Sequence, residues 1–559
     1  MRSSSRHSSG ADSPLPNLAV RSLATLAVLY GFLALLLIAA VELGFISSLG
    51  ALIFGVITAA AQYLVAPWIL DITLRFAYRC RWVSKEELPE HLRIFVERVC
   101  AAQHLSFPHF CVIDDGAPQA FTYGHHPGNA RVILSRGTHE LLTKDELEAV
   151  VGHELGHICH WDMVVMTIAQ LVPLVAYSIY KAAMRMSEES KKSRSASFVV
   201  GAGAYFVFVL SQLVVLWFSR LREYYADQFA AEATGQPAAL ASALVKIGYG
   251  LVSGGQGYGE SDKEPGLRRQ RAVSGALGAL NIFDRKSSLG LVVSTAGPTG
   301  SADRSAERVK DALQWDLWNP WALYYEIQST HPLVAKRLKR LEQLSCAAGQ
   351  PPFVSFDRQQ PESYWDEFVV DLIVLTLPKV GFLIGLGFMM ALSFGAPFAA
   401  NVFGYPLALA GFGAIIKTGM QYHRSTVRAS HIADLLSEVK VSPVRTSFVA
   451  VTGTVIGRGV PGLIWSEDFV LRDESGIIFL DYRQPLPLWD FFFGLLKAGS
   501  YTGVRVEVHG WYRRAPVPYV EIASIRDLAS GVERKCYTGI VRRACALGLF
   551  AAGVGLSCL

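Results

Sequence analysis

The 559-residue sequence has little charge for its length, and it lacks several common catalytic signatures. Asp, Glu, Lys and Arg make up 18% of the chain, whereas hydrophobic residues make up 51%. Soluble domains carry about a quarter charged residues, so the deficit predicts membrane segments. The sequence contains no GxSxG element, no P-loop and no dinucleotide-binding glycine fingerprint. These absences argue against serine hydrolases of that type, P-loop nucleotidases and Rossmann enzymes.

The sequence also lacks paired cysteines and a basic surface pattern. Its eight cysteines form no CxxC pair, so we expect ordinary reduced thiols and no disulfide framework. The net charge of +5 is small for this length. No basic stripe interleaved with aromatic residues is visible, so no nucleic-acid partner is expected. The cysteines are Cys80, Cys100, Cys111, Cys159, Cys346, Cys536, Cys545 and Cys558.

Charge-free runs locate the first predicted membrane segments. Residues 22–41 and 43–70 are separated only by Glu42, and a bilayer span needs about 20 apolar residues. We therefore predict a transmembrane hairpin over 22–70, after a disordered N-terminus at 1–21. A signal peptide is the alternative for the first run, but the second run directly behind it favours a retained hairpin.

Basic residues orient this hairpin. Arg21 precedes it, Arg75, Arg79 and Arg81 follow it, and its connecting turn has no Lys or Arg. By the positive-inside rule both flanks lie in the cytoplasm. We expect an integral, multi-pass protein of the plasma (inner) membrane, with the lipid bilayer as a partner and the active site facing the cytoplasm.

Further apolar runs follow at 163–180 and 195–219, joined by a basic connector. Two interpretations of this pair remain open: a hairpin with an atypical loop, or two helices only partly in the bilayer. A polar linker is predicted at 346–371, and a second transmembrane hairpin at 372–417. The hydrophobic segment at 540–559 fits either a last anchor or an interfacial helix.

The strongest chemical signal is an HExxH element on a predicted helix. Thr143 followed by Glu146 is a capping box that opens this helix. His153 and His157 are four residues apart, so both imidazoles leave the same helix face. Zinc prefers such nitrogen ligands. Glu154 follows the first histidine directly, where it can accept a proton from a metal-bound water.

A catalytic zinc site needs a third protein ligand. His160 lies on the adjacent turn, where it cannot easily close a tetrahedron, so a structural role is favoured. Glu223 lies on a later predicted helix, with Asp227 one turn further as the orienting partner of a ligating histidine. The residues alone leave Glu223 open between a ligand and an ordinary charged helix face. His331 is the third candidate.

Three segments in order carry a resemblance to a known family. HELGH at 153–157, SRLREYYAD at 219–227 and STHPLVAKRLKRLE at 329–342 resemble the HtpX-type membrane zinc metallopeptidases, relatives of the CAAX prenyl endopeptidases. The resemblance covers residues 20–345. It implies a gluzincin-type site in which His153, His157 and Glu223 hold zinc. It also implies that His331 and Arg337 face the substrate and stabilise the oxyanion.

One motif departs from the family pattern. The family carries an Asn-Ala-Phe-Ala-like strand before the catalytic helix, and its edge pairs with an extended substrate. Here Gln119 stands in place of Asn and is followed by Ala120 and Phe121. We expect these three residues to contact substrate, with a geometry altered by the longer Gln side chain.

The last third of the chain changes character. Residues 430–535 predict a small all-β, barrel-like domain, for which an OB-like fold is the candidate. We expect it to recruit substrate or bind a partner protein. Its predicted strands are Phe448–Ile456, Phe469–Leu471, Ile477–Tyr482, Val504–Trp511 and Tyr519–Ile522.

The sequence thus predicts a mostly α membrane protein. It has a helical gluzincin-type metalloprotease domain at 71–345 with a small edge sheet, and the C-terminal β domain. The predicted function is a zinc-dependent endopeptidase acting on membrane or misfolded polypeptides, with the quality-control role implied by the resemblance. The alternatives are a prenyl-protein protease and a non-catalytic membrane scaffold. A structural zinc is disfavoured because such sites are rich in clustered cysteines.

Overall fold

The structure is a computed structural model that describes most of the chain. The predicted second span at 43–70 lies largely outside the described residues, and so does the predicted disorder of residues 1–14. Residues 18–21, also predicted to be disordered, are helical. The described residues are 15–43, single positions between 50 and 75, 80–113, 119–189, 194–256, 302–393, 400–424, 426–458, 469–486, 488–489, 498–501, 503–515 and 518–558.

Helices dominate the described part of the chain. They are α1 (Leu18–Glu42), α2 (Glu90–Gln103), α3 (Arg136–Leu141), α4 (Lys144–Cys159), α5 (Asp162–Glu189), α6 (Arg194–Thr234), α7 (Pro237–Gln256), α8 (Ala302–Trp318), α9 (Pro320–Ile327), α10 (Val334–Ala347), α11 (Trp365–Leu392), α12 (Gly404–Gln421), α13 (Ile432–Leu436) and α14 (Thr538–Ser557). Six of them, α1, α5, α6, α11, α12 and α14, are long and apolar enough to cross a membrane. The prediction of a mostly α membrane protein is confirmed.

Strands form two sheets among the described residues. The first contains β1 (Arg81–Val83), β2 (His109–Ile113), β3 (Ala120–Tyr123) and β4 (Arg131–Ser135). The second contains β5 (Arg428–Ala429), β6 (Ser447–Arg458), β7 (Phe469–Arg472), β8 (Ile477–Asp481), β9 (Arg505–Arg514), β10 (Pro518–Asp527) and β11 (Glu533–Lys535).

Helices α5 and α6 lie side by side and pack with α1. The rings of Tyr177 and Phe208 are 5.1 Å apart between centroids, and Leu29 of α1 shares their buried cluster. Both helices are longer than the apolar runs from which they were predicted. They continue because the charged residues beyond each run are compatible with a helix, so hydropathy marks only their apolar part.

Helices α11, α12 and α14 pack against one another through glycines. A Cβ at Gly385 would lie 2.5 Å from the Pro406 Cα, and one at Gly553 would lie 2.2 Å from the Ala408 backbone nitrogen. Gly411 makes a similar approach to Phe550, so α14 runs antiparallel along α12. Small residues allow such close packing in membranes.

The small sheet packs against helix α4, with β1 and β3 as its edge strands. Its strand order is β1-β2-β4-β3, with β2 and β4 parallel and the outer pairs antiparallel. Buried residues of this sheet and of α4 belong to one core. Strand β3 therefore lies at an edge of the sheet, beside α4.

One prediction about cysteines is wrong. Cys80 and Cys111 form a disulfide, with their Cα atoms 6.1 Å apart. The antiparallel register pairs Trp82 of β1 with Cys111 of β2, and this brings Cys80, just before β1, alongside β2. A separation of 31 residues along the chain gives no sign of this pairing. The other six cysteines are free thiols.

The C-terminal strands close into a ring. The order is β6-β7-β8-β10-β9 and back to β6, with β8 and β10 parallel and the other neighbours antiparallel. Apolar residues such as Val451, Phe469 and Ile522 fill its interior. All five predicted strands form, so the predicted barrel-like sheet is confirmed.

The barrel contacts the helical part of the chain. On α8, the Trp315 indole donates to the Val441 carbonyl over 2.8 Å. Arg514 of β9 is buried and donates to the Ala312 and Leu436 carbonyls, over 2.6 and 2.7 Å. Buried hydrogen bonds to a charged group fix orientation, so these contacts hold the barrel against α8.

Candidate metal centre

The catalytic helix α4 is fixed at its beginning. The Thr143 and Glu146 side chains form the predicted capping box. The Glu146 carboxylate also accepts hydrogen bonds from Ser242 at 2.6 Å and Lys246 at 2.9 Å, both on α7. Burial opposes ionisation of Glu146, but these bonds outweigh it and lower its pKa.

The two glycines of the VGHELGH segment let α4 approach α6 closely. A Cβ at Gly156 would lie 3.1 Å from the Ala226 Cα, and one at Gly152 would lie 3.5 Å from the Ala230 Cα. A larger residue would push the helices apart. The close approach brings His153 and His157 next to Glu223 on α6.

The structure places the three predicted metal ligands together. The Nε2 atoms of His153 and His157 are 3.1 Å apart, and each lies 3.6 Å from a carboxylate oxygen of Glu223. All three donor atoms fall within 4.8 Å of one another. Two imidazoles and one carboxylate from three protein side chains fit a catalytic zinc, which keeps a further position open.

A carboxylate lies beside the second nitrogen of each histidine. Asp227 Oδ1 lies 2.9 Å from His153 Nδ1, and Asp162 Oδ2 lies 2.6 Å from His157 Nδ1. A donor hydrogen on Nδ1 leaves the Nε2 lone pair free for a metal. Asp227, expected from the sequence to orient a ligating histidine, thus lies beside His153, one of the expected ligands.

Arg337 lies behind the ligands. Its guanidinium is 1% exposed and binds Asp227 through two hydrogen bonds of 2.8 and 2.6 Å. A third nitrogen lies 3.3 Å from Glu223. Burial opposes its charge, but the carboxylates of Asp227 and Glu223 outweigh that effect and raise its pKa. The geometry favours Arg337 as a residue that positions Glu223 and Asp227.

His331 lies at the rim of the ligand cluster. Its Nδ1 is 3.1 Å from Glu223 Oε1, and its Nε2 is buried with no hydrogen-bond partner among the described residues. The Ser329 hydroxyl bonds to both the amide and the carbonyl of His331. This turn holds the imidazole in place, with its Nε2 unpaired among the described residues.

Glu154 is buried beside the ligands at 1% exposure. Its Oε2 accepts a 2.7 Å hydrogen bond from the Thr122 hydroxyl of β3. Thr122 thus connects the edge strand to the expected catalytic base. No sequence signal pointed to it, because only the folded sheet brings it beside α4.

The predicted substrate-contacting residues precede Thr122 on the same strand. Ala120 and Phe121 are fully buried, and Gln119 is 6% exposed. The Gln119 backbone N–H donates to the Ser135 hydroxyl over 2.8 Å. Among the described residues β3 pairs only with β4, so no other described strand occupies its outer backbone edge.

His160 is not brought into the cluster. Its ring packs edge-on against Tyr225 and Phe229, with centroids 6.2 and 5.9 Å away. Burial, together with the nearby charge of Arg222, lowers the pKa of His160 to about 4. This surrounding agrees with the structural role that its spacing favoured.

Comparison with known proteins identifies the chain's relatives. The model of peptidase family M48 matches residues 87–345. A Protease HtpX homolog of Methanothermobacter thermautotrophicus is 37% identical over 210 residues, which are 38% of this chain and 76% of that protein. The homolog of Aeropyrum pernix is 31% identical over 296 residues, 52% of this chain and 83% of that protein.

A solved structure gives a weaker match. Ste24p of S. mikatae has 18% sequence identity to this chain and a TM-score of 0.30. The match covers 58% of this chain and 66% of the Ste24p chain. A likeness at that score carries no argument. The sequence relatives show the family, because their alignments with this chain span three quarters or more of the relatives' length. The chain therefore belongs to peptidase family M48 and is an integral membrane metalloprotease of the HtpX type.

Proposed function

We propose that the protein is a zinc-dependent endopeptidase with a gluzincin-type site. The observation that carries this proposal is the approach of the His153, His157 and Glu223 donor atoms to within 4.8 Å of one another, with Glu154 beside them. Zinc held by these residues would polarise the scissile carbonyl and lower the pKa of a bound water. No nucleophilic side chain is then required.

In this proposal Glu154 is the general base. It accepts the proton of the attacking water and passes it to the leaving amine. The Thr122 hydroxyl holds one carboxylate oxygen, which fixes the direction of the other. Because the carboxyl is buried, few waters compete for the proton.

His331 would stabilise the developing oxyanion. Its Nε2 lies in the site with no partner among the described residues, and a preorganised donor of this kind lowers the barrier to a tetrahedral intermediate. Arg337, expected from the sequence to share this role, would act by keeping Glu223 and Asp227 in place.

The substrate would bind as an extra strand on the outer edge of β3. Main-chain hydrogen bonds from such an edge accept many sequences, which suits membrane or misfolded proteins as substrates. Residues 119–121 would contribute backbone groups, since Ala120 and Phe121 are fully buried. The protein would lie in the plasma membrane, and the basic flanks of the first predicted hairpin favour the cytoplasmic side for this site.

The C-terminal domain at 430–535 would recruit substrate or a partner protein. Its closed five-stranded order with one parallel pair supports an OB-like fold for this domain, and OB-folds bind extended ligands. The glycine-mediated packing of α14 along α12 favours the last helix as a membrane span beside α11 and α12, and not as an interfacial helix.

Proteolysis of an unfolded substrate by detergent-solubilised protein tests the function, with zinc measured in each sample. Wild type should cleave, and Glu154→Gln should lose cleavage while it retains about one zinc per chain, the stoichiometry of a single catalytic site. His153→Ala should lose both zinc and cleavage. Equal cleavage by wild type and Glu154→Gln would show that the site is wrongly assigned.

A further inference from the structure

Beyond the three ligands and Asp227, a second buried chain of polar groups ends at the metal centre. Asp162 stands at the start of α5, where its side chain is 8% exposed. Its Oδ2 lies 2.6 Å from His157 Nδ1. Its Oδ1 accepts a hydrogen bond from the guanidinium of Arg222. One carboxylate thus joins a ligand on α4 to a cation on α6.

Arg222 is buried as deeply as the metal ligands, at 2% exposure. The nitrogen that binds Asp162 also donates to the His160 carbonyl over 2.6 Å. Another nitrogen donates to the Ser22 hydroxyl of α1 over 2.9 Å. The guanidinium therefore holds the end of α4, the start of α5 and the first membrane helix at one point.

We propose that Asp162 and Arg222 are positioning residues for the metal centre: Asp162 fixes the His157 imidazole, and Arg222 fixes Asp162. The inference rests on the proposed zinc site. A histidine that binds metal through Nε2 carries its hydrogen on Nδ1 and donates it to a neighbouring acceptor. Arg222 is also only a donor. The group between them must therefore accept on both oxygens, which a carboxylate does and an amide does not.

The same buried pair would also join α5 to α6 if it had only a structural role, so the test must separate metal affinity from stability. Zinc affinity of the full-length protein is measured by competition with a chromophoric chelator in detergent. The thermal unfolding of the metal-free protein is measured in parallel. Asp162→Asn keeps the size of the side chain but turns an NH₂ group towards His157 or Arg222.

We expect Asp162→Asn to weaken zinc binding by about 10–100-fold, the usual effect of losing such a partner. Arg222→Lys, which keeps the positive charge but not the several hydrogen-bond donors of the guanidinium, should weaken zinc binding less. The double variant should lose less affinity than the product of the two single losses, because the two residues act on one histidine.

Cobalt(II) bound in place of zinc should show an altered visible spectrum in Asp162→Asn. Asp145→Asn, an exposed acid at the other end of α4, is the matched control and should match wild type.

Unchanged zinc affinity in Asp162→Asn, with only a lower unfolding temperature, would overturn the inference and leave a structural ion pair. If that variant does not fold, Arg222→Lys decides, and wild-type zinc affinity and cobalt spectrum in it would overturn the inference equally. Failure of the proposed function looks different. In that case wild type itself binds no zinc, or His153→Ala binds it as well as wild type does.

Discussion

At the scale of single residues, Thr122 links the edge strand β3 to helix α4. Its hydroxyl donates to Glu154 over 2.7 Å, while its neighbours Phe121 and Tyr123 point into a buried cluster. Alternation along the strand puts Thr122 on the opposite face from these aromatic residues. The hydrogen bond therefore follows from the register of β3.

Removing this hydroxyl should slow catalysis without affecting the metal. Thr122→Val keeps the shape of the side chain, and loss of a hydrogen bond to a charged group costs about 1.5–3 kcal/mol. We expect kcat to fall by about one order of magnitude or more, with zinc content unchanged. Thr122→Ser, which retains the hydroxyl, should stay near wild type. A wild-type kcat in Thr122→Val would mean that Glu154 is oriented by other contacts.

The pH dependence of stability should report on Glu146. Its pKa in the folded protein lies below the ordinary value of 4.5, so the folded state binds a proton less readily than the unfolded state. Its contribution is complete above about pH 5 and is lost as the pH falls through the folded-state pKa. Glu146→Gln should lower the thermal unfolding temperature at neutral pH, and the difference from wild type should shrink as the solution becomes acidic. Burial raises the pKa of Glu148, so Glu148→Gln, two residues away, should not lower the unfolding temperature at neutral pH and should show a trend of the opposite sign.

The sequence predicted the expected ligands and one group that holds them, Asp227, but it did not predict the others. His153, His157 and Glu154 follow from spacing on one helix, and the family resemblance added Glu223. Asp162 and Arg222 carried no such signal, since they and their partners His157 and Ser22 lie on four different helices. The one available indication was that Asp162 follows His157 by five residues, just beyond the end of α4.

At the scale of elements, hydropathy located the membrane helices and alternation located the barrel strands. Hydropathy did not predict where the helices begin and end. Helix α11 begins at Trp365, seven residues before the predicted hairpin and inside the predicted linker. A helix continues while its backbone bonds can form, whatever the hydropathy of the side chains. Helix partners were equally unpredictable, because glycine contacts appear only in the packed bundle.

The packing of α14 can be tested by enlarging one glycine. A Cβ at Gly553 would overlap the Ala408 backbone, whereas one at Gly555 would meet nothing within 4 Å. We expect Gly553→Val to lower the unfolding temperature in detergent by several degrees, since overpacking costs about 1–3 kcal/mol. Gly555→Val should have little effect. Similar losses in both variants would point to an effect on helix propensity and not on packing.

At the scale of the whole molecule, α6 joins the membrane part to the catalytic part. It is one helix of 41 residues, about 60 Å long at 1.5 Å per residue, and the hydrocarbon core of a bilayer is only about 30 Å thick. Its charge-free run ends at Ser219, and Glu223 follows within about one turn of helix. The metal centre is thus built on a rigid extension of a candidate membrane span.

This continuity should make the position of cleavage depend on distance from the membrane. We expect substrates anchored by a transmembrane helix to be cut at a fixed separation from the anchor, even when flexible residues are inserted between the anchor and the original cleavage site. Mass spectrometry of the products from such an insertion series measures the separation. Cleavage that moves with the original sequence would contradict this expectation. If the separation is constant, the bilayer surface acts as a ruler, and the enzyme selects peptide bonds by their height above the lipid more than by the residues that flank them.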